Sequence, residues 1–348
     1  MHSYDLLSLH TDGQRQQKFK DAPDIFFNQK LNQWIVFKPE LVIELLRDNR
    51  LLVPQIITSI EGLEARYRRK FPNLLFVARW TPLLMEGPVH RDIRRSLADM
   101  MTEGRARTTA ALPDLMQRYV QPLGEKDHAE WMDACLVPLV KDLFCHMCNC
   151  PVSVPFPKLV LSRIFDRFVS LAALDAIEEQ VALLRQEIRK RSGAADEDQE
   201  GAKVALFILG RDSLLGTLAT SLLFILRQNL DRPFADIEFP DYVPETGVAI
   251  AERVAEQDVT VASVTIAAGQ RVRLFFQPMS DANSTVGKQN LFGVGAHSCL
   301  GRPISLDVWR ALCKTIRSFP RRLSSIACDY ETNNIFVVPR HLRTEQRL

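Results

Sequence analysis

The sequence predicts a mainly α-helical protein with a small β part towards its C-terminus, folded as a single domain over residues 1–348. Three observations predict this fold class. Apolar residues recur at helical spacing through most of the first 229 positions. The proline- and acid-rich segment 231–247 then breaks that pattern, and alternation typical of strands follows it. With 46% hydrophobic residues, a chain of this length can also bury a large core.

The helical pattern can be followed along the chain. In segment 38–52 the apolar residues repeat at helical spacing, and segment 87–101 opens with Gly87-Pro88, which is a typical helix start. The same spacing predicts further helices at 110–122, 129–149, 158–173, 175–192 and 202–229, with an acidic loop at 192–201.

The β part is predicted over 251–276, where apolar and polar residues alternate between turns at 256–258 and 267–270. A short strand is expected at 34–37. The chain is expected to end with a helix over 302–318 and short strands near 323–338. Together these elements predict helices that pack around one another, with a small sheet region beside them.

The composition and the net charge limit the kinds of partner and cellular compartment that we expect for this protein. The net charge of +2 gives no reason to expect a nucleic-acid partner. The apolar runs of segment 204–226 are interrupted by Arg211 and Asp212, and no secretory leader is recognised, so we expect a cytoplasmic protein without a membrane anchor. The seven cysteines are expected to be free thiols in a reducing compartment, including the clustered Cys145, Cys148 and Cys150, which we interpret as buried.

The stretch 291–305, LFGVGAHSCLGRPIS, carries the main chemical signal. It places Cys299 among glycines and directly before a predicted helix whose first turn contains Pro303. A helix N-terminus offers free N–H groups and a partial positive charge, and both favour a thiolate. A thiolate is a ligand for soft metal ions and for haem iron. The alternative is a structural cysteine buried in a glycine-rich turn.

Residues 292–301 resemble the haem-thiolate loop of the cytochromes P450, because they match its pattern F-G-x-G-x-H-x-C-x-G at every fixed position. The resemblance implies a mainly α P450 fold and a haem b cofactor whose iron is bound by Cys299. It also implies that the fixed residues of the loop contact the haem: Phe292, Gly293, His297, Cys299 and Gly301.

Two further segments resemble parts of this family that bind the haem propionates. Segment 87–97 resembles the family's C-helix, which maps its His-x-x-x-Arg pair to His90 and Arg94, on one helix face. Segment 251–272 resembles the β region where an arginine, here Arg253, reaches a propionate. With His297, these residues would supply charge-assisted hydrogen bonds to both carboxylates. The alternative is a solvated basic helix face.

Segment 206–223 stands in the place of the family's I-helix, whose pattern is [A/G]-G-x-[D/E]-[T/S]. The resemblance implies that Gly210 opens a groove for oxygen, and that Asp212 and Ser213 relay protons. Leu209 and Ser213 depart from the family pattern, which has a small residue and a threonine there. The alternative is an ordinary buried helix in which Asp212 pairs with Arg211 or another cation.

The sequence also departs from the family between the I-helix and the haem loop. The K-helix motif Glu-x-x-Arg is not found between Ser213 and Cys299, and the segment that should hold it is short and broken by prolines. The meander before the loop is reduced to 278–290. We therefore expect a P450 fold that is trimmed between the I-helix and the haem loop, and shortened between the C- and I-helices.

By resemblance, the leading function is a haem-thiolate P450 monooxygenase that hydroxylates a small organic molecule in bacterial secondary metabolism, with a separate ferredoxin or flavodoxin as electron donor. Leu83, Leu84 and Met85 are candidates for the substrate pocket. A second hypothesis is non-oxygenative or peroxide-driven haem chemistry, in which Arg211 holds a substrate carboxylate. A third is a haem-binding protein of this fold that does not catalyse a reaction.

Overall fold

The computed structural model describes residues 22–152, 170–192, 196–280, 284, 286–331 and 336–348. The predicted fold class is confirmed, because helices dominate and the strands form small sheets. Most of the helix predicted at 158–173 lies outside the described residues. The α-helices are α1 (Pro39–Arg47), α2 (Ile56–Tyr67), α3 (Pro72–Trp80), α4 (Gly87–Leu115), α5 (Val137–Met147), α6 (Leu171–Ser192), α7 (Glu197–Arg227) and α8 (Arg302–Ile316).

The strands among the described residues form three sheets. They are β1 (Ile25–Asn28), β2 (Gln33–Val36), β3 (Leu51–Leu52), β4 (His128–Glu130), β5 (Ile250–Ala255), β6 (Val259–Val261), β7 (Val264–Ile266), β8 (Arg271–Phe275), β9 (Arg322–Glu331) and β10 (Val338–Arg347). The largest sheet has the order β1-β2-β8-β5-β3, and only its β2–β8 pair is parallel. The order β4-β10-β9 forms a second sheet, and β6 pairs with β7.

Helix α4 is longer than predicted. The sequence predicts two helices, at 87–101 and 110–122, whereas the structure has one helix of 29 residues. Gly104 lies between the two predicted helices but does not break them. Its missing side chain makes room for the end of α5, since a Cβ at this position would lie 2.4 Å from the Met147 carbonyl oxygen. The glycine is therefore a packing site between two helices.

Helix α7 forms the centre of the main core and is buried around most of its circumference. It begins five residues earlier than predicted because Asp196 caps it, accepting a hydrogen bond of 2.7 Å from the Gln199 N–H. Among the described residues it is the one helix long and apolar enough to cross a membrane, and 78% of its apolar stretch is buried in the protein. That burial is typical of a core helix.

A buried ionic group joins α6 to α7. Glu200 is 3% exposed, and its carboxylate accepts hydrogen bonds of 2.6 Å from the Nε atoms of both Arg185 and Arg189. Arg185 also donates to the Asn73 side chain on α3, at 2.8 Å. Because one buried carboxylate meets two guanidinium groups, this contact fixes the position of α6 on α7.

Residues 228–249, where the K-helix is expected, contain no α-helix, in agreement with the predicted trimming. The segment is an extended coil held by specific hydrogen bonds. Trp309 of α8 donates to the Pro240 carbonyl at 2.9 Å, and Ser221 of α7 donates to the Glu245 carbonyl at 3.1 Å. The Gly247 N–H donates to Thr217 Oγ1 at 2.9 Å. The coil therefore packs on α7 and α8 in place of a helix.

The coil reaches α7 because two glycines meet. A Cβ at Gly216 would lie 2.5 Å from the Val337 carbonyl oxygen and 3.0 Å from Gly247 Cα. Both neighbours are backbone atoms, which cannot move aside as a side chain would. The close approach therefore requires glycine at position 216.

We expect Gly216→Ala to destabilise the protein by about 1–3 kcal/mol, because the added methyl group overpacks a backbone contact. The measurement is the denaturant midpoint of unfolding. Gly62→Ala is the matched control, since Gly62 lies inside α2 with open space around its Cβ position. That control should stabilise the protein by about 0.5–1 kcal/mol through helix propensity. Equal effects of the two substitutions would contradict the close contact.

Candidate functional site

The conformation of the Cys299 loop depends on its glycines. The loop ends at the start of α8. Gly293 and Gly295 have φ values of +72° and +75°, which favour glycine. Gly295 also lies close to α1, where a Cβ would be 3.0 Å from the Leu46 carbonyl oxygen. The Cys299 N–H donates to the Phe292 carbonyl at 2.8 Å and closes the loop. The prediction that Cys299 directly precedes a helix is confirmed.

Cys299 differs from the clustered thiols. It has exposed surface facing a cavity, whereas Cys148 and Cys150 are buried and Cys145 is partly buried. Loss of surrounding water raises the pKa of the Cys299 thiol above its usual value. The Gly301 N–H, the Arg94 charge and the Arg302 N–H act in the opposite direction. The helix start and the arginine thus oppose the effect of burial, although burial remains the larger influence on the pKa of this thiol.

The cavity has a volume of about 450 Å³ and is lined mainly by apolar side chains. It extends from the Cys299 loop to α7 and to the α2 helix. Leu83 and Leu84 line it, as predicted, whereas Met85 is buried and is not among its described lining residues. Its apolar lining comes from several elements and includes Ile60, Leu63, Leu97, Leu174, Leu206 and Phe292.

The predicted basic residues come together beside the thiol. His90 and His297 pack ring against ring, with centroids 4.4 Å apart. Arg94 donates to the Ser298 carbonyl and, at 3.2 Å, to the Ser298 hydroxyl. Arg253 is 6% exposed and lines the cavity together with Arg94 and His297. Residues from α4, β5 and the loop therefore converge, although His90 and His297 are 207 positions apart in the sequence.

The basic group is short of hydrogen-bond partners. His90 Nε2 and His297 Nδ1 are buried, and neither has a partner in the part of the chain that the structure describes. Burial lowers the pKa of His90, and burial with the Arg253 charge lowers the pKa of His297 to about 4. Burial also lowers the pKa of Arg253. A ligand that carries carboxylates would supply acceptors to these groups, so the residues present fit haem propionates.

Sequence reasoning missed Glu86, which joins this group. It is the residue directly before α4, and its Oε1 accepts a hydrogen bond of 3.0 Å from the Val53 N–H. The same oxygen lies 3.1 Å from His297 Nε2. Glu86 therefore connects the start of α4 to the Cys299 loop. The signal in the sequence is an acidic residue just before the Gly87-Pro88 helix start, four positions from His90.

Helix α7 brings part of the predicted relay to the cavity. Gly210 and Ser213 line it, and the Ser213 hydroxyl donates to the Leu209 carbonyl at 2.8 Å. Asp212 and Arg211 are not among the described lining residues, and Asp212 Oδ1 lies 3.7 Å from Arg211 NH1. The alternative pairing of these two residues is therefore observed.

Gly210 packs against α5 as well as lining the cavity. A Cβ at Gly210 would lie 2.1 Å from Cζ of Phe144. The missing side chain therefore makes room for an aromatic ring of α5. Gly210 lets α5 and α7 pack closely, and its role in an oxygen groove stays a prediction.

No family profile and no curated protein sequence matches this chain. Solved structures do match it over almost the whole length. P450BioI in complex with an acyl carrier protein ligated to hexadec-9Z-enoic acid has 18% identity and a TM-score of 0.74, covering 99% of this chain and 100% of its own. A thermophilic cytochrome P450 from Sulfolobus tokodaii has 16% identity and a TM-score of 0.69, covering 97% and 100%.

A third similar structure is the P450 monooxygenase TamI bound to tirandamycin C, with 18% identity and a TM-score of 0.67, covering 90% of this chain and 89% of its own. These matches show that the chain has the cytochrome P450 fold. The resemblance first seen in residues 292–301 is confirmed at the level of the fold.

Proposed function

We propose that this protein is a haem-thiolate enzyme of the P450 type that oxidises an apolar small molecule. The observation that carries the proposal is the position of Cys299. Its thiol faces an apolar cavity at the start of α8, and two arginines and two histidines converge beside it. This arrangement would supply a thiolate ligand for iron and partners for two carboxylates in one place.

The residues that would hold haem b are those the sequence predicts. Cys299 would bind the iron, and His90, Arg94, Arg253 and His297 would bind the propionates. Phe292, Gly293 and Gly301 would lie against the ring as parts of the loop. When bound, the haem would supply oxidising chemistry, which thiolate ligation favours.

The other lining residues would bind the substrate and handle protons. Leu83, Leu84, Ile60 and Leu174 would exclude water and bind an apolar molecule by area burial. The Ser213 hydroxyl lies on the cavity wall, where it could pass a proton inward, with Asp212 behind it as the acid. Gly210 would contribute by allowing this part of α7 to approach the cavity.

The partners belong to the same proposal. We expect a ferredoxin or flavodoxin to supply electrons in the cytoplasm, without a nucleic-acid partner or a membrane anchor. P450BioI was crystallised with an acyl carrier protein, and TamI with tirandamycin C. These neighbours support a small organic substrate and a role in biosynthesis, and they leave the substrate itself open.

A second candidate function is haem chemistry that needs no proton relay, such as a peroxide-driven reaction. The pairing of Asp212 with Arg211 away from the cavity favours it, because the relay then lacks an acid that faces the substrate. In that case Ser213 would be a helix residue bonded to its own backbone. The version in which Arg211 holds a substrate carboxylate has no support, since Arg211 is not among the described lining residues.

We expect the reduced protein under carbon monoxide to show the strongly red-shifted Soret band typical of thiolate-bound haem, and Cys299→Ser to abolish it. Cys135→Ser is the control, since Cys135 is buried in the helical core. The measurement is the absorption spectrum of purified protein. A histidine-like spectrum, or a parent protein that takes up no haem, would refute the haem-thiolate proposal.

We expect Arg94→Ala and Arg253→Ala to weaken haem retention, because each charged hydrogen bond lost costs about 1.5–3 kcal/mol. Arg91→Ala is the matched control, since Arg91 is exposed on the same helix as Arg94. Haem transfer to an acceptor protein measures the effect. If all three variants release haem at the rate of the parent, the propionate assignment is wrong.

The relay is tested with Asp212→Asn and Ser213→Ala, because a positioned acid–base group contributes on the order of 10²–10⁴-fold in rate. In a reductase-driven assay, Asp212→Asn should slow product formation and Ser213→Ala should divert electrons to hydrogen peroxide, with haem content unchanged. The same variants are assayed with peroxide as the oxidant. If neither substitution changes product formation or hydrogen peroxide release in the reductase-driven assay, the second candidate function replaces the monooxygenase.

A further inference from the structure

The basic group beside Cys299 already contains a carboxylate from the protein. Glu86 Oε1 lies 3.1 Å from His297 Nε2, and the His297 ring packs on His90. The Glu86 side chain is 27% exposed, so it contacts both this group and water. The carboxylate of Glu86 and the basic side chains therefore lie close together at the edge of the cavity.

The burial of Arg253 explains why an acidic side chain is needed beside the basic group. It is 6% exposed, and a buried cation is costly unless an opposite charge lies nearby. Its guanidinium donates to the Glu252 carbonyl at 2.8 Å, which is a neutral partner. The charge of Glu86 acts on Arg253, and on His90, in the direction opposite to burial. Glu86 therefore balances the charge of this group.

A haem would bring two more carboxylates to the same bases. Three carboxylates would then compete for the cationic partners, and like charges at short distance repel one another. We infer that Glu86 substitutes for a propionate while the pocket holds no haem, and that it competes with the propionates when haem binds. This inference rests on the proposed haem site and makes Glu86 a positioning residue that sets haem affinity.

The test is a haem titration of the haem-free protein with Glu86→Gln and Glu86→Ser. Both variants remove the charge, and serine is a preferred residue directly before a helix, so α4 should still form. We expect haem to bind about tenfold more tightly to both, because the competing charge is gone. The haem-free variants should melt at a lower temperature than the parent, since Arg253 then loses its counter-ion.

Three controls separate charge from structure. Glu86→Asp keeps the charge and should bind haem no more tightly than the parent. Glu103→Gln makes the same charge change on an exposed position of α4, about 25 Å further along the helix, and should have no effect. Haem dimethyl ester has no propionate charges, so removing the Glu86 charge should not tighten its binding. A purely structural role would affect haem and its ester alike.

Unchanged or weaker haem binding by Glu86→Gln and Glu86→Ser would overturn the inference, and so would equal tightening for the dimethyl ester. Failure of both variants to fold would also overturn it, because Glu86 would then be required by the fold and would not be a replaceable counter-ion. If the parent itself takes up no haem, the proposed function fails instead. The two failures are therefore distinguishable.

Discussion

The site depends on the contact between Arg94 and the Ser298 backbone. This contact joins α4, the helix that carries His90 and Arg94, to the loop that carries His297 and Cys299. Together with the contact between Glu86 and His297, it holds the thiol close to the basic residues of α4. Because the guanidinium donates to a carbonyl next to the cysteine, one residue both positions the loop and brings positive charge to the sulfur.

The second requirement is a support behind that loop, and a coil provides it where the resemblance predicts a helix. The coil at 228–249 lies on α7 through Ser221 and Thr217, and Trp309 of α8 holds it from the other side. Helix α8 follows Cys299 directly, so the same tryptophan links the coil to the helix that starts at the thiol. Hydrogen bonds and a glycine contact thus hold this coil on α7 and α8.

The sequence predicted the parts that depend on local pattern. The helix start after Cys299, the glycines of its loop and the spacing of His90 and Arg94 are local, and each is seen in the structure. Glu86 was missed because its role depends on a residue 211 positions away. The contact between Gly210 and the Phe144 ring was not predicted for the same kind of reason, since that ring comes from another helix. Both contacts join residues that are far apart in the sequence, so local sequence patterns do not predict them.

Several groups at the site lower the stability of the folded protein. Two buried imidazole nitrogens have no partner among the described residues, and each such group costs about 1–3 kcal/mol. Arg253 is buried as a cation, and Cys299 remains exposed to a cavity. A ligand that satisfied these groups would bind only the folded chain and would stabilise it by mass action. Binding at this cavity and folding of the loop around it are therefore expected to be coupled, because the same four bases take part in both.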